Sequence, residues 1–168
     1  MKHVIKLSLM AIMLVFTMLS CSSVEEVALQ QPYLSQLSNT ECLNDKDLDF
    51  TQSRSENRNG SFEMIFVDDI VKCKFTALEY PCDFWKVNVK VFFNDGVLTI
   101  VEYPSFDNAD CLCEVDATFL IGKIPQQDFI LKIYHGDVNG NFNIETPKFS
   151  GRVRAKDGLF STPYNTNF

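Results

Sequence analysis

The stretch Phe84-Trp85-Lys86-Val87-Asn88-Val89-Lys90-Val91-Phe92-Phe93, then Asn94-Asp95-Gly96, then Val97-Leu98-Thr99-Ile100-Val101-Glu102-Tyr103, decides the fold. Trp85, Val87, Val89, Val91 and Phe93 take every second position and alternate with Lys86, Asn88, Lys90 and Phe92. Successive side chains of a strand point to opposite faces, so this period of two, with its β-branched residues, predicts a half-buried strand. Asp95-Gly96 supplies the positive φ that a tight hairpin turn requires. With Phe93 set opposite Val97, Val91 faces Thr99, Val89 faces Val101 and Val87 faces Tyr103.

The same texture extends on both sides. Upstream, Ser61–Val67 and Ile70–Leu78 read as strands, with Asp68-Asp69 as a bend or bulge between them. Downstream, Cys111, Cys113, Val115, Ala117, Phe119 and Ile121 share one parity, which turns both cysteines toward the core. Phe129, Leu131 and Ile133 alternate with Ile130, Lys132 and Tyr134. From Lys148 to Lys156, Phe149, Gly151, Val153 and Ala155 alternate with Ser150, Arg152 and Arg154, so the two arginines mark a solvent-facing side. Leu159–Phe168 reads as a weakly ordered tail or a last edge strand. Several short strands, no long amphipathic helix and no internal repeat predict an all-β fold. We expect an antiparallel β-sandwich, immunoglobulin-like, or a small barrel.

Upstream of Asn59-Gly60, itself a turn signal, residues 43–58 are polar. Residues 22–41 are expected to be weakly ordered up to about Thr40, since Pro32 interrupts any helix between Glu25 and Leu37. At the start, Lys2 and Lys6 lead into thirteen mostly apolar residues, Leu7 to Leu19, then Ser20 and Cys21. That run is too short for a membrane-spanning helix of ~20 residues and fits the ~7–15-residue core of a signal peptide. Leu19-Ser20-Cys21 resembles the lipobox of bacterial lipoproteins. The resemblance implies that Cys21 carries a diacylglyceryl group and a palmitate-like N-acyl chain, and each buried CH₂ adds about 0.8 kcal/mol to anchoring. The expected organisation is therefore a signal peptide at 1–20, a lipidated tether and linker at 21–42, and one β domain at 43–168.

Residues 1–20 carry Lys2 and Lys6 and no acids, so the remainder sets 13 basic residues against 22 acidic ones, a formal −9. Nucleic-acid binders need a basic footprint, and no nucleic-acid partner is expected. A partner of the membrane through the lipid anchor is expected, and beyond it an envelope protein or a glycan.

Besides Cys21 there are five cysteines: Cys42, Cys73, Cys82, Cys111 and Cys113. An oxidising envelope favours disulfides. In the hairpin register Cys82 falls opposite residue 108, and the loop Pro104–Asp110 lets Cys111 swing close. Cys73 lies on the apolar side of its strand, as Cys113 does on its own. Bridges Cys82–Cys111 and Cys73–Cys113 are favoured, with Cys42 free or paired between molecules; the reverse assignment of Cys111 and Cys113 stays open because they share a face. A four-thiolate zinc site from Cys73, Cys82, Cys111 and Cys113 competes, but Cys-x-Cys is tighter than the usual zinc spacing. No metal or cofactor is expected.

His135 is the histidine that a Ser-His-Asp or Cys-His site would have to use. No serine sits in Gly-x-Ser-x-Gly, and His135 is expected to end a strand at the surface. Asp137, Asn139, Asn141 and Asn143 offer oxygens in the rhythm of a calcium loop, but Phe142 and Lys148 stand where that loop needs Gly and Glu. Ordinary turn chemistry accounts for the same residues. No catalytic residues are assigned.

Residues 72–134 resemble a group of small Bacteroidota lipoproteins of unknown function. The resemblance is carried by Cys73, the hairpin Trp85–Glu102, the Cys-x-Cys-x-x-Asp run Cys111-Leu112-Cys113-Glu114-Val115-Asp116, and the strand Phe129–Tyr134. Many members have a cysteine where this chain has Ala109, and this chain has Cys82 instead. Ser22-Ser23-Val24-Glu25-Glu26 resembles the acidic tether of such lipoproteins, associated with export to the cell surface. The resemblance implies an all-β protein anchored at the outer membrane or cell surface, and no activity. The expected role is a non-enzymatic binding or structural module, with a small hydrolase or a protease-inhibitor-like protein as the alternative.

Overall fold

The computed structural model describes residues 32–42, 59–83, 85–125 and 127–165. The expected signal peptide, Cys21 and the acidic stretch after it lie outside these residues. The described residues form nine strands: β1 (Tyr33–Asn39), β2 (Ser61–Val67), β3 (Ile70–Pro81), β4 (Val87–Asn94), β5 (Val97–Pro104), β6 (Leu112–Gly122), β7 (Phe129–His135), β8 (Phe149–Val153) and β9 (Leu159–Pro163). They form a five-stranded sheet in the order β1-β6-β3-β2-β9 and a four-stranded sheet in the order β4-β5-β7-β8. Phe62, Phe75, Phe119, Leu98, Ile100, Leu131 and Ile133 are buried in the core that the two sheets enclose. Phe75 packs on Phe62 and Phe119 at ring distances of 4.6 and 5.9 Å. Full burial of such a side chain contributes roughly 1.5–3 kcal/mol.

The fold is an all-β sandwich, but it is not wholly antiparallel: β5 and β7 pair in parallel. The reason is topological. β6 lies between them in the chain and in the other sheet, so β5 and β7 run the same way when they meet. Alternation along a strand says which face is buried and nothing about which sheet the strand joins.

The expected hairpin register is off by one. Asn94 pairs with Val97 and Phe93 with Leu98. Asp95 and Gly96 alone make the turn, with φ of 49° and 75°, the doubly left-handed geometry of a type I′ turn. A slip of one residue turns a strand over. Leu98, Ile100 and Glu102 therefore face inward with Val87, Val89 and Phe93, and Tyr103 faces out. Trp85 is not part of the strand, and it is 70% exposed.

Four further expectations change. The weak order expected up to Thr40 gives way to β1, which pairs with β6 on either side of a bulge at Gln36-Leu37, so the sandwich begins before residue 43. Gly60 is not a turn: its carbonyl accepts from the Tyr164 amide and extends the β2–β9 pairing. The last alternating segment ends at Val153, and Ala155–Asp157 forms a 3₁₀ turn before β9. Asp68-Asp69 is a complete two-residue turn, with Val67 paired to Ile70.

The two ends of the sandwich differ. At one, the turn end, Tyr33 starts β1, and Asp68-Asp69 and Asp95-Gly96 close two hairpins. At the other, the loop end, β3 crosses to β4 and β5 crosses to β6 in the opposite sheet, and β7 reaches its antiparallel partner β8 only through the long loop 136–148.

Candidate functional site

The loop end gathers most of the chemistry. Its frame is the start of β6, where each specific residue of the Cys-x-Cys-x-x-Asp run holds a different neighbour. Cys111 is bonded to Cys82 and Cys113 to Cys42, with Cα–Cα distances of 5.5 and 5.6 Å. Asp116 accepts from the Ala77 amide at 3.1 Å and pairs with Lys74 at 3.3 Å. Thr76 and Ala77 stand opposite Asp116 as a bulge in β3, with Ala77 at φ 54°. Asp116 thus supplies the acceptor that the displaced amide of a bulge loses from the ladder.

The expected Cys73–Cys113 bridge is not formed, and Cys42 is not free. Cys73 pairs across the sheet with Met64 and Phe119 and is a buried free thiol; burial pushes that thiol far up from its ordinary pKa. Cys113 has its bonding partner at the end of β1, whose membership in the sheet brings Cys42 beside it. Cys111 precedes the strand and is exposed, so the shared core-facing parity of the two cysteines fails one residue before β6 begins.

The β4–β5 pairing continues past the strand ends. Ser105 Oγ accepts from the amides of Trp85 and Lys86 at 3.2 and 3.1 Å, and the Ser105 amide donates to the Lys86 carbonyl. In this register Trp85 falls opposite Phe106. Both keep the parity of the inward-facing residues, but they lie beyond the end of the core, and Phe106 is 47% exposed. The Asn108 amide donates to Asp83 Oδ2 at 3.1 Å, and the Cys82 amide to the Cys111 carbonyl at 2.9 Å. Two loops bearing an aromatic pair are thereby fixed to each other by a disulfide and a set of hydrogen bonds.

Beneath this rim lies Glu102, the buried charged residue of the described core. Its carboxylate accepts from Tyr80 Oη, from Tyr164 Oη at 2.8 Å, and lies 2.8 Å from His135 Nδ1. Tyr80 and Tyr164 belong to the five-stranded sheet side, Glu102 and His135 to the four-stranded one, so the cluster pins the two layers. Burial first, and then the Glu102 charge, hold both phenols well above the ordinary tyrosine range. Sequence reasoning missed Glu102 because the wrong register placed it outward. The available signal was its parity with Leu98 and Ile100. His135 ends β7, as expected, yet its side chain is only 17% exposed and packs by the Tyr80 ring at 6.0 Å.

The Asp137–Glu145 loop uses its oxygens internally. Asp137 accepts from the amides of Asn139 and Asn141 and from the Asn141 side chain, all at 2.9 Å. These bonds, those of Asn141 above all, hold its carboxyl below the ordinary range. Lys90 Nζ donates to the carbonyls of Asn139 and Gly140, and Phe142 packs, tilted, against Tyr134 at a ring distance of 4.6 Å. The loop is folded over the outer face of the four-stranded sheet, where it covers Val101 and Tyr134. Among the described residues no group of three or more His, Cys, Asp and Glu side chains is placed to hold a metal ion. Arg152 and Arg154 are exposed and line an open cleft with Asp157, Leu159 and Phe160. No described helix is long and apolar enough to cross a membrane.

No family model, curated protein or solved structure matches this chain.

Proposed function

We propose that this chain is an envelope lipoprotein, anchored through a lipid on Cys21 at the outer membrane or cell surface, and that it acts as a non-enzymatic binding module. The Trp85–Phe106 pair at the loop end is its contact surface. The observation that carries this reading is that pair: two large aromatic side chains left exposed on hydrogen-bonded loops where an inward-facing register runs past its core. Exposed aromatic residues on fixed loops supply contact area at little entropic cost. The arrangement follows the immunoglobulin-like use of a sandwich, with recognition loops at one end. Tyr33 starts at the opposite end, so the tether leaves the loop end free for an envelope protein or a glycan. The two bridged cysteine pairs suit an oxidising compartment.

The test places a photo-crosslinking phenylalanine analogue at position 106, and separately at 92 on the outer face of the four-stranded sheet, in the anchored protein of living cells. Adducts at 106 and none at 92 are expected. Adducts at 92 with none at 106 would overturn the assignment of the surface. Replacing Cys21 with Ala is expected to release the protein from the membrane fraction.

A second reading, a small hydrolase, is favoured by one observation: a carboxylate orienting Nδ1 of His135 is the geometry of a general base and its positioning partner. It predicts labelling by a fluorophosphonate probe that is lost in His135→Ala.

A further inference from the structure

We infer that a second contact holds the domain to the membrane: the outer face of the five-stranded sheet, at the turn end, rests directly on the lipid bilayer. The inference builds on anchoring at Cys21 and adds a binding surface in the folded domain.

The surface is a row of apolar side chains that crosses the sheet from edge to edge. Leu159 of β9 is paired with Ile65 of β2. Val67, two residues along the same face, is paired with Ile70 of β3, and Ile70 with Gly122 of β6. Gly122 is paired with Tyr33 of β1, whose ring occupies the space a Cβ at Gly122 would need. The five side chains are 40–58% exposed. An exposed apolar row of this extent is unusual on a soluble monomer and marks an interaction site. On a strand, these positions would ordinarily be polar if the face met only water.

The chain itself indicates what covers the row. Cys21 lies twelve residues before Tyr33. At full stretch that length reaches about 40 Å, and it ends on the row. A strand such as β3, with its twelve residues, is also about 40 Å long. The anchor therefore keeps the turn end at the bilayer and the loop end away from it. A tether this short gives an effective concentration on the order of millimolar, so a modest apolar contact is enough to stay occupied.

The side chains suit the interfacial zone of a bilayer. Tyr33 is an aromatic residue of the type enriched there. The Lys123 ammonium lies 5.9 Å from the Tyr33 ring centre, and Lys72 stands beside Ile65 in the register. These two lysines stand against Asp68 and Asp69 in the turn, and Arg152, Arg154 and Asp157 lie beside Leu159; the row itself is apolar, and against zwitterionic lipid its contact is expected to be insensitive to salt.

The experiment uses the lipidated protein in vesicles of phosphatidylcholine and phosphatidylethanolamine, with Val67→Cys carrying an environment-sensitive fluorophore. Cys73 is buried and the other described cysteines are bridged. Tethering is expected to shift the label's emission to the blue and to slow its quenching by acrylamide several-fold, equally at low and at high salt. The emission of Trp85, the chain's one tryptophan, is expected to stay unchanged. Adding Ile70→Asp and Leu159→Ser, both exposed positions, is expected to abolish the shift without loss of the fold. An unshifted label on protein whose N-terminal peptide carries the lipid mass overturns this contact alone and leaves the anchor standing. Absence of the lipid mass overturns both. A blue shift that appears without vesicles and grows with protein concentration assigns the row to a second copy of the chain and also overturns the inference.

Discussion

The two ends of the sandwich are closed by opposite means. At the turn end Asp68-Asp69 and Asp95-Gly96 each reverse the chain in two residues, and the strands they join are direct partners. At the loop end β3 passes to β4 and β5 to β6 in the opposite sheet, and β7 meets its partner β8 only after the long loop 136–148. There the connections are held by Cys42–Cys113, Cys82–Cys111 and the carboxylate of Glu102 with its tyrosines and histidine. The difference follows from loop entropy. A two-residue hairpin closes little free chain, whereas each longer connection carries a closure cost that must be offset by another interaction. The consequence is functional as well. The end stapled from within can hold Trp85 and Phe106 outside the core without losing its shape.

The largest expected effect comes from removing the buried pin. Glu102→Ala leaves two buried phenols without their acceptor and opens a cavity between the layers. The expected loss is about 3–5 kcal/mol, which for a domain this size lowers the melting temperature by ten degrees or more. Glu102→Gln keeps the volume and one acceptor oxygen, and its cost is expected to be clearly smaller. Equal losses for the two variants would mean that packing, and not the carboxylate, joins the layers.

The disulfides come next. The closed loops span sequence separations of 71 and 29, for which chain entropy gives about 4 kcal/mol each, the longer loop slightly more. The paired variant Cys42→Ser with Cys113→Ser is expected to lower the denaturant midpoint, and Cys82→Ser with Cys111→Ser to do so nearly as much. The second pair is also expected to speed hydrogen exchange at the Cys82 amide, which bonds the Cys111 carbonyl. Unchanged midpoints in both would show that the loop end is held by packing alone.

Alkaline pH should find the same contrast. Tyr80, Tyr164 and Cys73 all have pKa values raised in the folded protein by burial, and for the tyrosines by Glu102 as well. Raised values mean that the folded state favours the protonated groups. Their contribution is fully present below the unfolded-state values, about 8.5 for cysteine and 10 for tyrosine, and is lost as pH rises beyond them. Stability is expected to be flat in this respect up to about pH 8.5 and then to fall. Tyr164→Phe should flatten the upper part of the fall, seen in denaturant midpoints across pH. A fall unaffected by Tyr164→Phe and by Cys73→Ala would place its origin elsewhere.

How much could be read from the sequence divides along the same line. The turn end was legible: Asp95-Gly96 as a turn, the alternation of Val87 to Phe93, and the inward set Val115, Ala117, Phe119 and Ile121 are all local patterns, and all are present. At the loop end the expected Cys82–Cys111 bridge is present, but little else was legible. Which sheet β6 joins, that Cys42 reaches Cys113, and that Glu102 meets Tyr80 and Tyr164 depend on residues far apart in the chain. The one-residue register error shows how the two kinds of knowledge interact. A local misjudgement of turn length, three residues for two, hid the buried carboxylate and with it the link between the layers.

The smallest effect tests whether the two ends are independent. Asp95 has φ 49° and its glycine neighbour 75°, and a left-handed conformation costs an ordinary residue about 1–2 kcal/mol, less for Asp and Asn, whose side chains bond locally. Asp95→Ala is therefore expected to cost about 1 kcal/mol and Asp95→Asn close to nothing. The turn lies at the opposite end from Glu102 and shares no partner with it, so the loss from Asp95→Ala should add to that from Glu102→Gln within about 0.5 kcal/mol. A larger coupling in this double-mutant cycle would mean that the β4–β5 register is set jointly, by the turn at one end and the buried carboxylate at the other. Glu102→Gln would then let the hairpin slip toward the pairing of Phe93 with Val97. Cross-strand amide contacts in nuclear magnetic resonance would distinguish the two registers directly, because Asn94 opposite Val97 and Phe93 opposite Val97 give different pairs along the whole ladder.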